Sequence, residues 1–269
     1  MKQKQRRITP GRVLVALLIL FLYAPILYTV VFSFNDSRSL TRFTGFSLQW
    51  YEKMFTSKTT MSAIVMTFLV AILATAISTA IGTVTIIGLS RCRKLLRGTV
   101  NMINDIVIMN PDIVTGIGLL MFFATMTVRK GFLTLLLAHI MFCTPYVMLT
   151  VAPRLRSLDP NLADAALDLG CNPLQAITKV IVPQLMPGIT AGALIAFTMS
   201  FDDFVISYFV TGNGVQNISI LVYTMSKRVN PSINAISTLV IVIITIALIL
   251  INILPPLWQR INRKKEEPV

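Results

Sequence analysis

Six apolar runs, separated by shorter polar stretches, set the pattern of this chain. They lie near residues 13–34, 62–90, 101–127, 132–152, 186–210 and 235–257. A helix needs about 20 residues to cross the hydrocarbon of a bilayer, so each run is a candidate transmembrane span. The fifth is interrupted by Asp202 and Asp203. The first follows a basic start (Lys2, Lys4, Arg6, Arg7, Arg12) and has no A-x-A ending. It therefore reads as a retained helix rather than a cleaved signal.

The polar stretch 154–184 is not a plain linker. It reads RLRSLDPNLADAALDLGCNPLQAITKVIVPQ. Asp159 is placed to cap a helix whose first turn begins at Pro160. Leu162, Ala165, Ala166 and Leu169 recur at helical spacing. Gly170 suits the helix end, where a positive φ favours glycine. Asn172-Pro173 opens a second short helix, Ile177, Val180 and Ile181 continue an apolar stripe, and Pro183 ends it. The result is two amphipathic helices joined by a glycine turn. Such a stripe fits a partner's groove or lies flat on the membrane surface, and the residues alone leave both open. The stretch ISILVYTMSKRVNP, in the loop 211–234, is expected to form another short helix.

Composition supports the membrane reading. Hydrophobic residues make up 55% of the 269, charged residues 13%, and mean hydropathy is +0.75. Soluble domains carry about 25% charged residues. The net charge of +13 is no sign of nucleic acid, because the basic residues sit in short clusters between apolar runs. Assigned to alternating sides, sixteen Lys and Arg fall on one side and eight on the other. The richer side is cytoplasmic, which puts both termini and the 154–184 loop inside. No linker divides the chain, so residues 1–269 read as a single transmembrane domain. Cys92, Cys143 and Cys171 read as free thiols. Helices two and five are rich in small residues, among them Ala71, Ala74, Gly82, Gly188, Gly192 and Ala196. These allow close helix packing, within one subunit or at a moving interface.

Carboxylates inside a bilayer are costly and are functional candidates. Four lie within the spans: Asp105, Asp112, Asp202 and Asp203. Asp105 and Asp112 are seven apart and share a face of helix three with Asn101. Asp112 follows Asn110-Pro111, a kink site, and falls near the bilayer midplane. Of the adjacent pair, Asp203 is preferred, because Ala196 and Gly192 below it leave room for a path. Phe201, Phe204 and Tyr208 add rings beside these acids, suited to cation–π contact. The structural alternative is that the acids pair with basic residues or cap helix ends. His139, the only histidine, reads as an interhelical hydrogen-bonding group rather than a metal ligand. No P-loop or hydrolase motif occurs, so ATP hydrolysis is not expected of this chain.

Within the loop, the spacing D-A-A, three residues, G, nine residues, V-I-V-P resembles the signature of binding-protein-dependent ABC importer permeases. That pattern reads EAA, three residues, G, nine residues, I-x-L-P. It maps to Asp164, Ala165, Ala166, Gly170, Val180, Val182 and Pro183, with Asp for Glu and Val for Ile and Leu. Longer runs also resemble the spermidine/putrescine permeases of this family: FLYAPILYTVVFSFNDS, NPDIVTGIGLLMFF, LAHIMFCTPYV, SFDDFVISYFVTG and LVYTMSKRVNP.

The resemblance implies an all-α integral membrane fold with six transmembrane helices, the MetI-like architecture of type I ABC importers. It implies that Asp164, Ala165, Ala166, Gly170 and Pro183 belong to a coupling helix seated in a cytoplasmic ATPase. Ala165 and Ala166 would pack closely in its cleft. The implied partners are a second, homologous permease, two ATPase subunits that bind ATP and Mg, an extracytoplasmic substrate-binding protein, and lipid. The chain itself would hold no cofactor and no metal, and would sit in the inner membrane of a prokaryote. The expected cargo is a polyamine. The alternatives are another cationic or small organic solute, or a stand-alone secondary transporter.

Overall fold

The computed structural model describes residues 10–212, 214–227, 230–246 and 249. The basic cluster before Pro10, Arg228, the far end of the sixth run and the C-terminal basic tail (Arg260, Arg263, Lys264, Lys265) lie outside the described residues.

Among the described residues all elements are helical. They run α1 (Pro10–Phe32), α2 (Gln49–Thr56), α3 (Lys58–Ser90), α4 (Lys94–Met109), α5 (Asp112–Thr125), α6 (Phe132–Arg156) and α7 (Leu162–Asp168). The turn α8 (Pro173–Gln175) leads through a π-helical stretch, Ala176–Ile181, into α9 (Val182–Asp202). Then follow α10 (Val205–Val210) and α11 (Ile218–Ser226), and an apolar helix α12 at Ser232–Ile246. The contacts divide the chain into two units, one of residues 62–221 and one of the residues on either side.

Among the described residues four helices are long and apolar enough to span a bilayer: 11–32, 58–90, 132–156 and 173–202. The pair α4 and α5, whose axes differ by 108°, is apolar enough only when taken together and has the form of either a broken span or a re-entrant loop. The third run was expected to be one helix over 101–127 with a kink. The structure instead starts α4 seven residues earlier and breaks it completely. Pro111 has no N–H and forces Asn110 into an extended conformation (φ −74°, ψ 132°). Asp105 and Asp112 therefore stand on different helices and share no face. Asp112 opens the first turn of α5 instead of sitting deep in a continuous helix.

The fifth run is also redrawn. Pro183 does not end a short helix, because one helix continues from Pro173 to Asp202. Proline is tolerated in a first turn, where its missing N–H has no intrahelical partner to lose. The π turn before it provides that start: the Val182 N–H bonds Ile177 C=O, five residues back. At its far end the expected span 186–210 is cut after Asp202, and α10 is a separate short helix.

In the 62–221 unit, α6 is the central helix. Leu135, Ala138, Cys143, Val147 and Val151 on α6 are fully buried, with Leu185 and Ala196 on α9 and Val210 on α10. Glycine makes the α6–α9 approach possible. A Cβ on Gly192 would meet Thr150 Oγ1 at 2.5 Å, and one on Gly188 would meet Arg154 Cβ at 3.0 Å. Gly82 on α3 is equally tight against Val147. The small residues of the second and fifth runs thus serve packing within this chain. Gly192 and Ala196 leave no room for a path beneath Asp203, because both are buried.

In the other unit, Asn35 organises the loop after α1. Its amide donates to the carbonyls of Ser39 and Arg42, both at 2.9 Å, and its oxygen accepts from Thr44 N–H. Trp50 Nε1 donates to Asn35 C=O at 2.7 Å. By contrast, no residue of the most apolar window of α1 is buried, so that helix offers its apolar surface to lipid or to another chain.

Candidate functional site

Two places in the 62–221 unit carry the candidate residues. The first is the hairpin formed by α7, its turn and α8. Asp159 does not cap at Pro160. Its carboxylate accepts from Asn161 N–H at 2.9 Å, and α7 begins two residues later than expected, at Leu162. The turn after α7 closes with Gly170 N–H to Leu167 C=O at 2.9 Å and Cys171 N–H to Ala166 C=O at 3.1 Å. This pair of bonds needs a left-handed residue between them, and Gly170 has φ +87°. Asn172 and Gln175 then bond each other's backbone N–H reciprocally, at 3.0 and 2.8 Å, which starts the next helix sharply.

The hairpin presents apolar groups outward. Leu169 is 87% exposed and Leu174 is 70% exposed. Asp164 is exposed and lies 3.7 Å from Arg91. Ala165 is exposed, but Ala166 is buried within its own chain. Ala166 is therefore unavailable to a partner's cleft, a correction to the paired role expected for the two alanines. Successive helical residues point about 100° apart, and here Ala166 is the one turned inward. Pro183 is exposed at the start of α9. Beside the hairpin lies a cleft of about 540 Å³, lined by Arg91, Arg97, Asn101 and Arg156 over Ile86, Leu155 and Ile181.

The second place is the junction between α9 and α10. Asp203 leaves α9 in an extended conformation (φ −58°, ψ 125°). Its carboxylate accepts from Ile206 N–H at 3.2 Å, and from Ser207 N–H and Oγ–H, each at 2.7 Å. It therefore caps α10. His139 of α6 reaches both sides of the break, with Nδ1 at 2.7 Å from Ser200 Oγ and Nε2 at 3.0 Å from Ser207 Oγ. The interhelical role read for His139 is what the structure displays. Asn217 donates to Asp203 C=O at 3.0 Å and to Ser207 Oγ at 2.9 Å, and accepts from Ile220 N–H at 2.9 Å.

Asp202, one residue earlier, is exposed, and its C=O accepts from Ser219 Oγ at 3.3 Å. Asp105 and Asp112 are exposed as well. Phe201 is buried and packs edge-on to Phe68 at 5.2 Å. Phe204 and Tyr208 lie 5.6 Å apart, and Tyr208 is 48% exposed. Ser200, Ser207 and Asn217 are partners that the sequence reading did not single out. The one available signal was that they are polar residues within or beside apolar runs.

Comparison with known proteins identifies the family and the fold. Residues 80–267 match the family model described as binding-protein-dependent transport system inner membrane component. The chain is 37% identical over 243 residues to the putrescine transport system permease protein PotI of Escherichia coli, covering 87% of this chain and 86% of that protein. It is 37% identical over 245 residues to the spermidine/putrescine transport system permease protein PotC of Haemophilus influenzae, covering 91% and 93%. Among solved structures, it is similar to a chain of a bacterial ABC transporter involved in import of the acidic polysaccharide alginate, with a TM-score of 0.67. That likeness has 14% identity and covers 97% and 98% of the two chains, so it speaks to the fold alone. It is likewise similar to a chain of an amino acid ABC transporter, with a TM-score of 0.56 at 18% identity, over 74% and 92%. With more than half its length inside the family model, and permeases as its relatives, this chain belongs to the inner membrane components of binding-protein-dependent transport systems.

Proposed function

We propose that this chain is the permease subunit of an ATP-driven polyamine importer, using the α7–α8 hairpin to dock a cytoplasmic ATPase. It works beside a second, homologous permease, with two ATPase subunits that bind the ATP and Mg, and an extracytoplasmic binding protein that delivers the cargo. Both termini and the hairpin face the cytoplasm of a prokaryotic cell. The chain carries no cofactor and hydrolyses nothing.

The observation that carries this reading is the hairpin. It is a capped, rigid projection that holds Leu169 and Leu174 in the open, within the D-A-A…G spacing of the family. Apolar groups held rigidly outward lose little entropy on docking. The polyamine cargo rests on the relatives, which are named for putrescine and spermidine. A polycation moving through a membrane needs acids and rings that replace water but let go. Asp202 and Tyr208 supply one of each at an exposed position, with Asp105, Asp112 and Phe204 as further members. Asp203 and Phe201 support the site from within, because their side chains are already engaged.

The test is reconstitution of the chain with its ATPase, second permease and binding protein in liposomes. Spermidine- or putrescine-loaded binding protein is expected to stimulate ATP hydrolysis and uptake. If hydrolysis does not respond to either polyamine, the cargo assignment fails. If uptake proceeds without any ATPase, the coupling assignment fails.

A further inference from the structure

Asp202 is the last residue of α9, and a charge at the frayed end of a helix normally has a loosely held backbone. Here the backbone is fixed on both sides. Two residues earlier, Ser200 Oγ bonds His139 Nδ1 at 2.7 Å. One residue later, Asp203 C=O accepts from Asn217, and the Asp203 carboxylate holds the start of α10. The Asp202 C=O itself accepts from Ser219. His139 is 1% exposed, Ser200 2%, Ser207 0% and Asn217 3%.

With Asp203 ionised and His139 neutral, the donors and acceptors of the junction fit together as follows. Ser207 Oγ–H donates to the Asp203 carboxylate, which has no proton to give when ionised. Ser207 Oγ must then accept from Asn217 Nδ2–H and from His139 Nε2–H. With its proton on Nε2, His139 accepts at Nδ1 from Ser200 Oγ–H. The His139 side chain thus bonds a residue of α9 and a residue of α10 across the break. We infer that His139 is a positioning residue for the cargo acid. Through Ser200 and Ser207 it locks the break after Asp202 and so sets where the Asp202 carboxylate stands.

The inference rests on the polyamine-path reading of Asp202 given above. A fixed acid matters for a polycation because its ammonium groups are covalently spaced, so a carboxylate that drifts loses register with them. Loss of the imidazole orphans the buried Ser200 hydroxyl and removes one donor from Ser207. Each helix end then loses one tie, and the break is held only by Asn217, Ser219 and the Asp203 carboxylate.

The experiment is a double-mutant cycle in the full reconstituted importer, with spermidine uptake measured per assembled complex. His139→Ala is expected to lower uptake roughly fivefold, about the worth of one buried hydrogen bond. In an Asp202→Asn background, already slow, the same change is expected to do nothing more. His139→Gln extends about as far as Nε2 and keeps a donor for Ser207, so it is expected to lie between wild type and alanine. If His139→Ala impairs assembly, Ser200→Ala, which adds no bulk, takes its place in the cycle. Equal losses in both backgrounds overturn the positioning role and leave the cargo acid standing. Full uptake by Asp202→Asn alone overturns the path reading and this inference with it.

Discussion

The hairpin and the α9–α10 junction are both polar constructions at helix ends, but they are assembled from different ranges of the chain. The hydrogen bonds of the hairpin's turn and caps join residues two to five apart, from Asp159–Asn161 to Ala166–Cys171. At the junction, His139 bonds partners 61 and 68 residues away, and Thr134 Oγ1 donates to Val210 C=O, 76 residues on. The hairpin's turns need only local sequence. The junction exists only after α6 and α9 have packed. A device that must move as a rigid piece against a partner benefits from the first design. A site that must hold a charge still inside a membrane needs the second, because the low-dielectric interior makes each unpaired group expensive.

Two glycines test that division most severely. Gly192→Leu is expected to have the largest effect of all. A Cβ there meets Thr150 Oγ1 at 2.5 Å and the backbone of Val147 at 3.3 Å, so α6 and α9 must part. Folded protein recovered from membranes, followed by size exclusion and thermal melting in detergent, is expected to fall to near nothing. A normal yield and melting temperature would show that the α6–α9 contact is dispensable. Gly170→Val is the local counterpart. No atom lies within 4 Å of its added Cβ, yet φ is +87°. The cost is backbone strain of about 1–3 kcal/mol, borne by the hairpin alone. Membrane insertion and melting are expected to stay normal while cargo-stimulated ATP hydrolysis drops at least about tenfold, following that strain. Gly170→Asn, whose side chain tolerates the left-handed region, is expected to recover most of it. A valine variant that couples normally removes the hairpin from the drive mechanism.

The same division explains what could be read in advance. Gly170, Asn172 and the D-A-A…G spacing are local, and their turn and cap appear where the residue pattern put them. That the chain is built of several long apolar helices was legible from hydropathy, and the kink from Asn110-Pro111. Its size was not, because proline specifies where a helix fails and not how far the chain then turns. Pro183 misled for a related reason. A proline inside an apolar stripe usually stops a helix, and only the π turn at Ala176–Ile181, which no residue type announces, carries the helix past it. The preference for Asp203 over Asp202 rested on Ala196 and Gly192, about two and three turns below. Those residues face α6, and Asp203 caps α10, two facts fixed by tertiary contacts.

A smaller effect is expected at the hairpin tip. Leu169→Glu and Leu174→Glu alter side chains that touch little of this chain, being 87% and 70% exposed. Burying a leucine side chain contributes roughly 1.5–3 kcal/mol, so each change is expected to weaken ATPase association by about ten- to a hundredfold. Melting of the permease alone is expected to stay the same. Pull-down of the ATPase by the detergent-solubilised permease pair reads the difference. Undiminished association would place the docking contact elsewhere on the cytoplasmic face, for instance along the neighbouring arginine-lined cleft.

The smallest effect is expected from Asp164→Asn, and it separates two roles for this acid. Asp164 and Arg91 are 3.7 Å apart, with about two thirds of each side chain open to water. Solvent screens such a pair, and exposed ion pairs contribute little. If Asp164 serves only Arg91, Asp164→Asn and Arg91→Gln are expected to behave alike, each changing ATPase association less than about fivefold. Both losses then vanish in high salt, where the screening length falls to a few ångströms. If Asp164 instead meets a basic group on the ATPase, that contact is desolvated in the complex. Asp164→Asn then costs far more than Arg91→Gln, and salt does not level the two. Titrating ATPase binding to both variants at low and high salt decides between them. It thereby decides whether Asp164 serves only Arg91 of its own chain or, like Leu169 and Leu174, is completed only by the partner.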